Sequence, residues 1–250
     1  MSESAIYCEG YHDRAFWSGW LTYLGCTDPG IVPNLSERAP VRDPWNEKVA
    51  GGQYAYRSKS QQFIRVVPSH GKDKLVPLVL KRLENRYAKP LSRVVINVDP
   101  DTTPGGTTTG LKLQDILVSV QRVDPSAVMD ANGEIAMDGG ATKIALVRWE
   151  SGDGPLPGVP NQQTLERLVC AALVAAYPER GPCVQSWLDT LDPPPVNVKA
   201  FAWSFMAGWH AEHGCDDFYR CLWDDAKVRG ELETRLRASG VWQIAEALAS

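Results

Sequence analysis

Two short stretches carry the residues best suited to chemistry. In "AIYCEGYHD" an apolar run, Ala5 to Cys8, stops at Glu9-Gly10, and Asp13 follows three residues later. In "RVVINVDPD" a second apolar run stops at Asp99-Pro100-Asp101. Taken singly, an acid after a strand is an ordinary turn former or helix cap. Two such strand ends in one chain suggest more. In an open parallel sheet, functional groups gather outside the carboxyl ends of the strands, and adjacent strands bring those ends together. Asp99 and Asp101, two apart, point the same way because side chains alternate along an extended chain. Carboxylates crowded in this way repel unless a divalent cation neutralises them, and Mg2+ prefers such hard oxygen ligands. Two ions about 3.5–4 Å apart stabilise both the attacking and the leaving oxygen in phosphoryl transfer. Gly10 lets the chain turn sharply beside such a site.

The elements that must position these acids are legible as strands followed by helices. "AIYCEG" precedes an apolar stripe of Phe16, Trp17, Trp20, Tyr23 and Leu24, spaced as one helical face. "FIRVV" is a β-branched strand; "PSHG" is a turn; Leu75, Leu78, Val79 and Leu83 then mark a second helix. "RVVINV" has the continuous apolar character of a strand covered on both faces. After "TTPGGTTTG", a helix is predicted over 111–121, and 124–140 reads as a loop or hairpin. "TKIALVRWESG" is a further strand, and "NQQTLERLVCAALVAAYP" is a strong helix that stops before Pro178. From Pro182 onward the pattern is helical. Residues 28–60, rich in Pro, Gly and charge, read as a long loop or insertion.

Alternating strands and helices over the first two thirds predict an α/β fold, with a parallel sheet flanked by helices. The expected division is an α/β domain over 1–178, with insertions near 28–60 and 102–140, followed by a helical extension over 179–250 that packs on it.

The paired motifs "IYCEGYHD" and "RVVINVDPD" resemble a Toprim domain, the Rossmann-like fold shared by topoisomerases, bacterial primases, recombination-repair proteins and OLD-family nucleases. Its signature is a Glu-Gly after the first strand and an Asp-x-Asp after the third. The chain looks most like the small OLD-family and primase-like Toprim nucleases. The resemblance implies that Glu9 is a metal ligand or general acid/base and that Asp99 and Asp101 bind Mg2+ or Mn2+. Asp13 matches an aspartate often found just inside the first helix, and equally suits a first-turn acid favoured by the helix dipole. "VVPSHGKDKL" resembles the turn after the second strand, where Lys72 is either a phosphate contact or a solvated helix-start residue. "LPGVPNQQTLERLV" is similar to a segment that brings a further glutamate, here Glu166, to the metals. "NVKAFAWSF" is similar to a later helix whose lysine, here Lys199, stabilises charge on a scissile phosphate; a polar residue on an apolar helix is the plainer alternative. Two features depart from the pattern: the spacing between the motifs is long, and Tyr11-His12 is unusual after the glutamate. His12 either joins the chemistry or caps the helix.

Composition narrows the function classes. The 250 residues are 44% hydrophobic and 22% charged, ordinary for a globular chain, with a net charge of -4. That sign argues against a pure nucleic-acid coat protein, which is usually basic. It argues less against a metal-dependent nuclease, because the metals bridge like charges. No stretch is long and apolar enough to span a membrane, and the N-terminus lacks the pattern of a secretory signal, so a cytoplasmic location is expected. The six cysteines form no CxxC pair and are expected to be free. "HAEHGCDDFYRC", with His210, His213, Cys215 and Cys221, matches no standard zinc spacing. A dinucleotide fold needs a glycine-rich turn after the first strand, and "CEGYHD" has one glycine and an acid where phosphate would sit. No GxxxxGK[ST] ATPase motif, topoisomerase tyrosine or primase zinc module accompanies the acids.

The leading expectation is therefore a Mg2+- or Mn2+-dependent nuclease acting on DNA or RNA phosphodiesters. The alternative is a non-catalytic Toprim-type module serving an ATPase partner, with Trp203, Trp209, Trp223 and Trp242 either forming an interface or packing in a core.

Overall fold

The computed structural model describes residues 2–29, 41–103, 110–195, 197–207 and 214–250, without the side chains of 207 and 214–216. It shows an α/β fold. The strands are β1 (Glu3–Cys8), β2 (Tyr54–Arg57), β3 (Phe63–Pro68), β4 (Leu91–Val98), β5 (Val128–Met129), β6 (Ile135–Met137) and β7 (Thr142–Arg148). The helices are α1 (Tyr11–Tyr23), α2 (Lys72–Glu84), α3 (Leu113–Val120), α4 (Leu165–Ala176), α5 (Arg180–Leu188), α6 (Val198–Ala207), α7 (Gly214–Cys221), α8 (Ala226–Ala238) and α9 (Val241–Ala249). The strands form one sheet in the order β2-β3-β1-β4-β7-β6-β5.

The residues fold into two compact units that share the chain unequally. One contains Met1–Val98, Leu111–Val147 and Ile244–Ser250; the other contains Asp99–Gly110 and Arg148–Gln243. This division differs from the expected break at 178: α4 belongs with the later helices, and the end of the chain belongs with the sheet.

In the sheet unit, β1 is central and entirely buried. It pairs in parallel with β3, from Glu3↔Phe63 to Cys8↔Pro68, and with β4, ending at Cys8↔Asn97. Alternation sends Ala5 and Tyr7 to one face, where they join Val94, Ile96 and Val98 of β4, Leu75, Val79 and Leu83 of α2, and Ile116, Leu117 and Val120 of α3 in one apolar cluster. α1 packs on β1, β2 and β3. Of its expected stripe Phe16, Trp17 and Trp20 are buried, with Leu21 beside them, whereas Tyr23 is 41% exposed and Leu24 caps the helix end; the rings of Trp17 and Trp20 stack with centroids 4.9 Å apart. The buried Trp17 Nε1 donates to Asn97 Oδ1 at 3.0 Å, tying α1 to the end of β4.

The 28–60 segment is not loop throughout: β2 lies in it and pairs antiparallel with β3 at the sheet edge. Residues 124–140 include the antiparallel hairpin β5–β6. In the second unit, α4 packs against α5, α6 and α8. Trp223 and Trp242 are buried there with ring centroids 6.4 Å apart, so they are core residues, whereas Trp203 is 48% exposed. Trp209, His210 and His213, and the Cys215 side chain, lie outside the described residues.

Candidate functional site

The two acidic motifs follow the carboxyl ends of neighbouring parallel strands, since β1 runs into Glu9 and β4 runs into Asp99. Each motif is held by its own unit.

In the sheet unit, the turn between β3 and α2 folds over the backbone of Glu9. Ser69 N–H donates to the Cys8 carbonyl at 2.8 Å and Gly71 N–H donates to the Glu9 carbonyl at 3.1 Å. The Ser69 hydroxyl also donates to the Glu9 carbonyl, at 3.4 Å. This fixes where Glu9 leaves the sheet and places Lys72, the first residue of α2, beside it: Lys72 Nζ stands 3.7 Å from Glu9 Oε1. Gly71 has φ 124°, a conformation only glycine adopts without strain. His70 before it has φ 59°, unusual for a side-chain-bearing residue.

Asp13 acts at the helix start. Its Oδ2 accepts the Gly10 N–H at 2.9 Å, which is half of a capping box, and the residue is buried. His12, just before it, is half-buried. Cys8, although adjacent to Glu9, is not a nucleophile of the usual kind: burial, aided by the Asp13 charge, pushes its thiol pKa well up.

An aromatic and cationic stack borders Glu9 that sequence reasoning did not find. The Arg14 guanidinium lies 4.1 Å from the Tyr54 ring centroid and 4.6 Å from that of Tyr11. Its Nη1 donates to the Gly52 carbonyl at 2.7 Å. Tyr11 in turn meets His70 edge-on, with centroids 5.0 Å apart. The only trace of this in the sequence is the aromatic-basic composition of "GYHDR" and the His-Gly pair before α2.

In the helical unit, Asp99 and Asp101 are tied to the start of α4. Asp99 Oδ1 accepts the Leu165 N–H at 2.9 Å, and Thr164 caps the helix by accepting the Arg167 N–H. Asp101 Oδ1 accepts from Gln162 Nε2 at 2.9 Å. Asp101 has φ 56°, a second backbone conformation costly for a non-glycine residue. Gln163 fastens this segment by its backbone, bonding Asp101 N–H and the Thr102 carbonyl, while its side-chain amide exchanges two hydrogen bonds with the Ser151 backbone. Gln162 and Gln163 were missed from sequence because an uncharged pair before a helix gives no chemical signal. Glu166 is buried in the first turn of α4. Lys199 lies on the exposed side of α6, four residues before Trp203.

The structure thus brings Glu9 together with Lys72, and Asp99 and Asp101 together with the α4 start that carries Glu166. Among the described residues, no group of three or more His, Cys, Asp or Glu side chains is gathered closely enough to hold a metal ion. The donors at both motifs are nevertheless hard carboxylate oxygens, the kind Mg2+ and Mn2+ select.

No family model and no curated protein matches this chain. Among solved structures, it is similar to the hypothetical protein PH0156 from Pyrococcus horikoshii OT3, with a TM-score of 0.69 over 100% of both chains at 17% sequence identity. At that identity the likeness is one of fold.

Proposed function

We propose that the chain is a metal-dependent phosphodiesterase of the Toprim type, acting on nucleic acid. The observation that carries this reading is that the strands running into Glu9 and Asp99 are hydrogen-bonded, parallel neighbours paired as far as Cys8↔Asn97. Carboxyl ends of adjacent parallel strands are where α/β sheets place their ligands.

On this reading Glu9, Asp99 and Asp101 hold Mg2+ or Mn2+, and Glu166 supports them from α4. The bound ions supply Lewis-acid stabilisation of the phosphoryl oxygens. Glu9 holds or transfers a proton at the attacking or leaving oxygen. Lys72, paired with Glu9 at 3.7 Å, presents its ammonium to a substrate phosphate. Lys199 offers a second cation from α6. Asp13 serves mainly to fix Gly10 and the start of α1, and so positions Glu9.

The test is cleavage of plasmid, single-stranded DNA and RNA with Mg2+ or Mn2+ by wild type and by Glu9→Ala, Asp99→Ala and Lys72→Ala. Loss of at least about a hundredfold in the carboxylate variants is expected, as for removal of a group acting in the transition state. Equal cleavage by wild type and Glu9→Ala would sink the assignment.

A second reading, a non-catalytic module that partners an ATPase, is favoured by one observation. Trp187 and Trp203 are 52% and 48% exposed, and aromatic side chains of this size suit a partner surface. Cleavage by the purified chain alone separates the two.

A further inference from the structure

Tyr11 is 44% exposed, yet it is not loosely held. Arg14 lies between its ring and that of Tyr54, and is itself buried and bonded to the Gly52 carbonyl. His70 packs edge-on against Tyr11 from a left-handed backbone position that a glycine would occupy at less cost. Strain of this kind persists where surrounding structure enforces it, and it is concentrated at sites that bind. The enforcing contacts here are the hydrogen bonds that fold the Ser69–Gly71 turn over Glu9. The same turn therefore fixes Glu9, Lys72 and the His70 ring. An exposed, pre-ordered π surface next to a lysine matches a base and its phosphate: bases stack on aromatic rings of any sequence context, while a cation tracks the backbone.

We propose that Tyr11, held edge-on by His70 and braced by Arg14 and Tyr54, forms a platform on which a base of an unpaired nucleic-acid strand stacks, with its phosphate directed to Lys72. The inference rests on the phosphodiesterase reading and deepens it by naming the substrate as single-stranded at the site. An exposed aromatic pair of this kind contributes nothing to holding an intact duplex, whose bases are stacked on one another.

The experiment measures binding and cleavage separately. Fluorescence anisotropy in EDTA follows labelled single-stranded DNA, single-stranded RNA and duplex DNA of equal length. The proteins are wild type, Tyr11→Phe, Tyr11→Ala, His70→Gly and Glu9→Ala, each checked for an unaltered thermal transition or, for His70→Gly, a raised one. A 2-aminopurine base in the strand reports stacking. Tyr11→Ala is expected to weaken single-strand binding about five- to hundredfold and to relieve the 2-aminopurine quenching, while Tyr11→Phe stays close to wild type. If Tyr11→Ala binds and quenches like wild type while Glu9→Ala alone abolishes cleavage, the platform is wrong and the nuclease reading stands. If Tyr11→Ala loses binding while Glu9→Ala cleaves normally, the platform stands and the catalytic assignment fails. Wild type that binds duplex as tightly as single strands, or binds no strand at all, overturns the platform.

Discussion

His70 shows how a single residue can carry both a cost and a use. A left-handed φ costs a side-chain-bearing residue about 1–2 kcal/mol relative to glycine, which adopts it freely. His70→Gly keeps the turn and removes the ring, so it should raise stability by about 1 kcal/mol, read as a higher denaturant midpoint with an unchanged slope. An unchanged or lowered midpoint would mean that the His70 ring contacts outweigh the backbone strain. Asp13 makes the opposite case: its carboxylate accepts the Gly10 N–H at 2.9 Å. Asp13→Ala should therefore lower stability by about 1 kcal/mol, the usual cost of a lost helix cap, and chemical denaturation measures it. The two residues also show what the sequence can and cannot carry. Asp13 was legible as either a ligand or a first-turn acid, because capping follows from local spacing alone. The Tyr11–Arg14–Tyr54 stack was not, because Tyr54 is forty residues away in sequence and reaches Arg14 only through the pairing of β2 with β3.

At the scale of elements, the helical unit is organised around one buried cation. Arg167 is fully buried on α4 and donates to the carbonyls of Pro160, Asp153 and Gly154, at 2.7, 2.6 and 3.0 Å. It thereby pins the loop between β7 and α4, the loop that also carries the Gln163 clasp on the Asp101 segment. Arg167→Met would leave the buried Pro160 carbonyl and the part-buried Asp153 and Gly154 carbonyls without this donor. It should cost about 3 kcal/mol or more, measured by denaturant unfolding; a cost under about 1 kcal/mol would show that water replaces the guanidinium. Asp153 in the same loop receives a bidentate pair from Arg235 of α8, both bonds at 2.8 Å. Burial opposes its ionisation, but the Arg235 and Ser151 hydrogen bonds outweigh burial and hold its pKa below the usual value of 3.8. A depressed folded pKa means stability that is present above the unfolded value and lost as pH falls through the folded one. The stability gap between wild type and Asp153→Asn should therefore be full near neutrality and close below about pH 4, in unfolding curves taken across that range. A gap constant with pH would assign the effect to shape rather than charge. The strands β1, β3 and β4 and the helix α4 were legible because each is a continuous apolar run or a clear stripe. The short strand β2 was not, since four residues carry too little pattern to stand out from a Pro- and Gly-rich setting, and the β5–β6 pair was legible only as one of two alternatives, a loop or a hairpin.

Across the whole molecule, the path of the chain decides what can fold alone. The chain enters the helical unit at Asp99, returns at Leu111, leaves again at Arg148 and comes back at Ile244. A fragment covering 1–178 keeps Glu9, Asp99, Asp101 and Glu166, and by sequence patterning it should be an intact domain. It nevertheless lacks Val228, Leu232 and Leu236 of α8, all buried on the helix that packs against α4. It also lacks Ala245 and Leu248, buried in α9, and the Ala249 and Ser250 carbonyls that accept the Lys59 and Ser60 N–H groups at 3.0 and 2.9 Å. Each fully buried aliphatic side chain contributes about 1.5–3 kcal/mol, and a whole protein is stable by only about 5–15 kcal/mol. The missing side chains are together worth about as much as that whole margin. The 1–178 fragment should therefore show no cooperative thermal transition by circular dichroism and should bind hydrophobic dye at room temperature, whereas the full chain melts cooperatively. A fragment melting within about 5 °C of the full chain would restore the boundary at 178 and show that α4 needs none of the later helices.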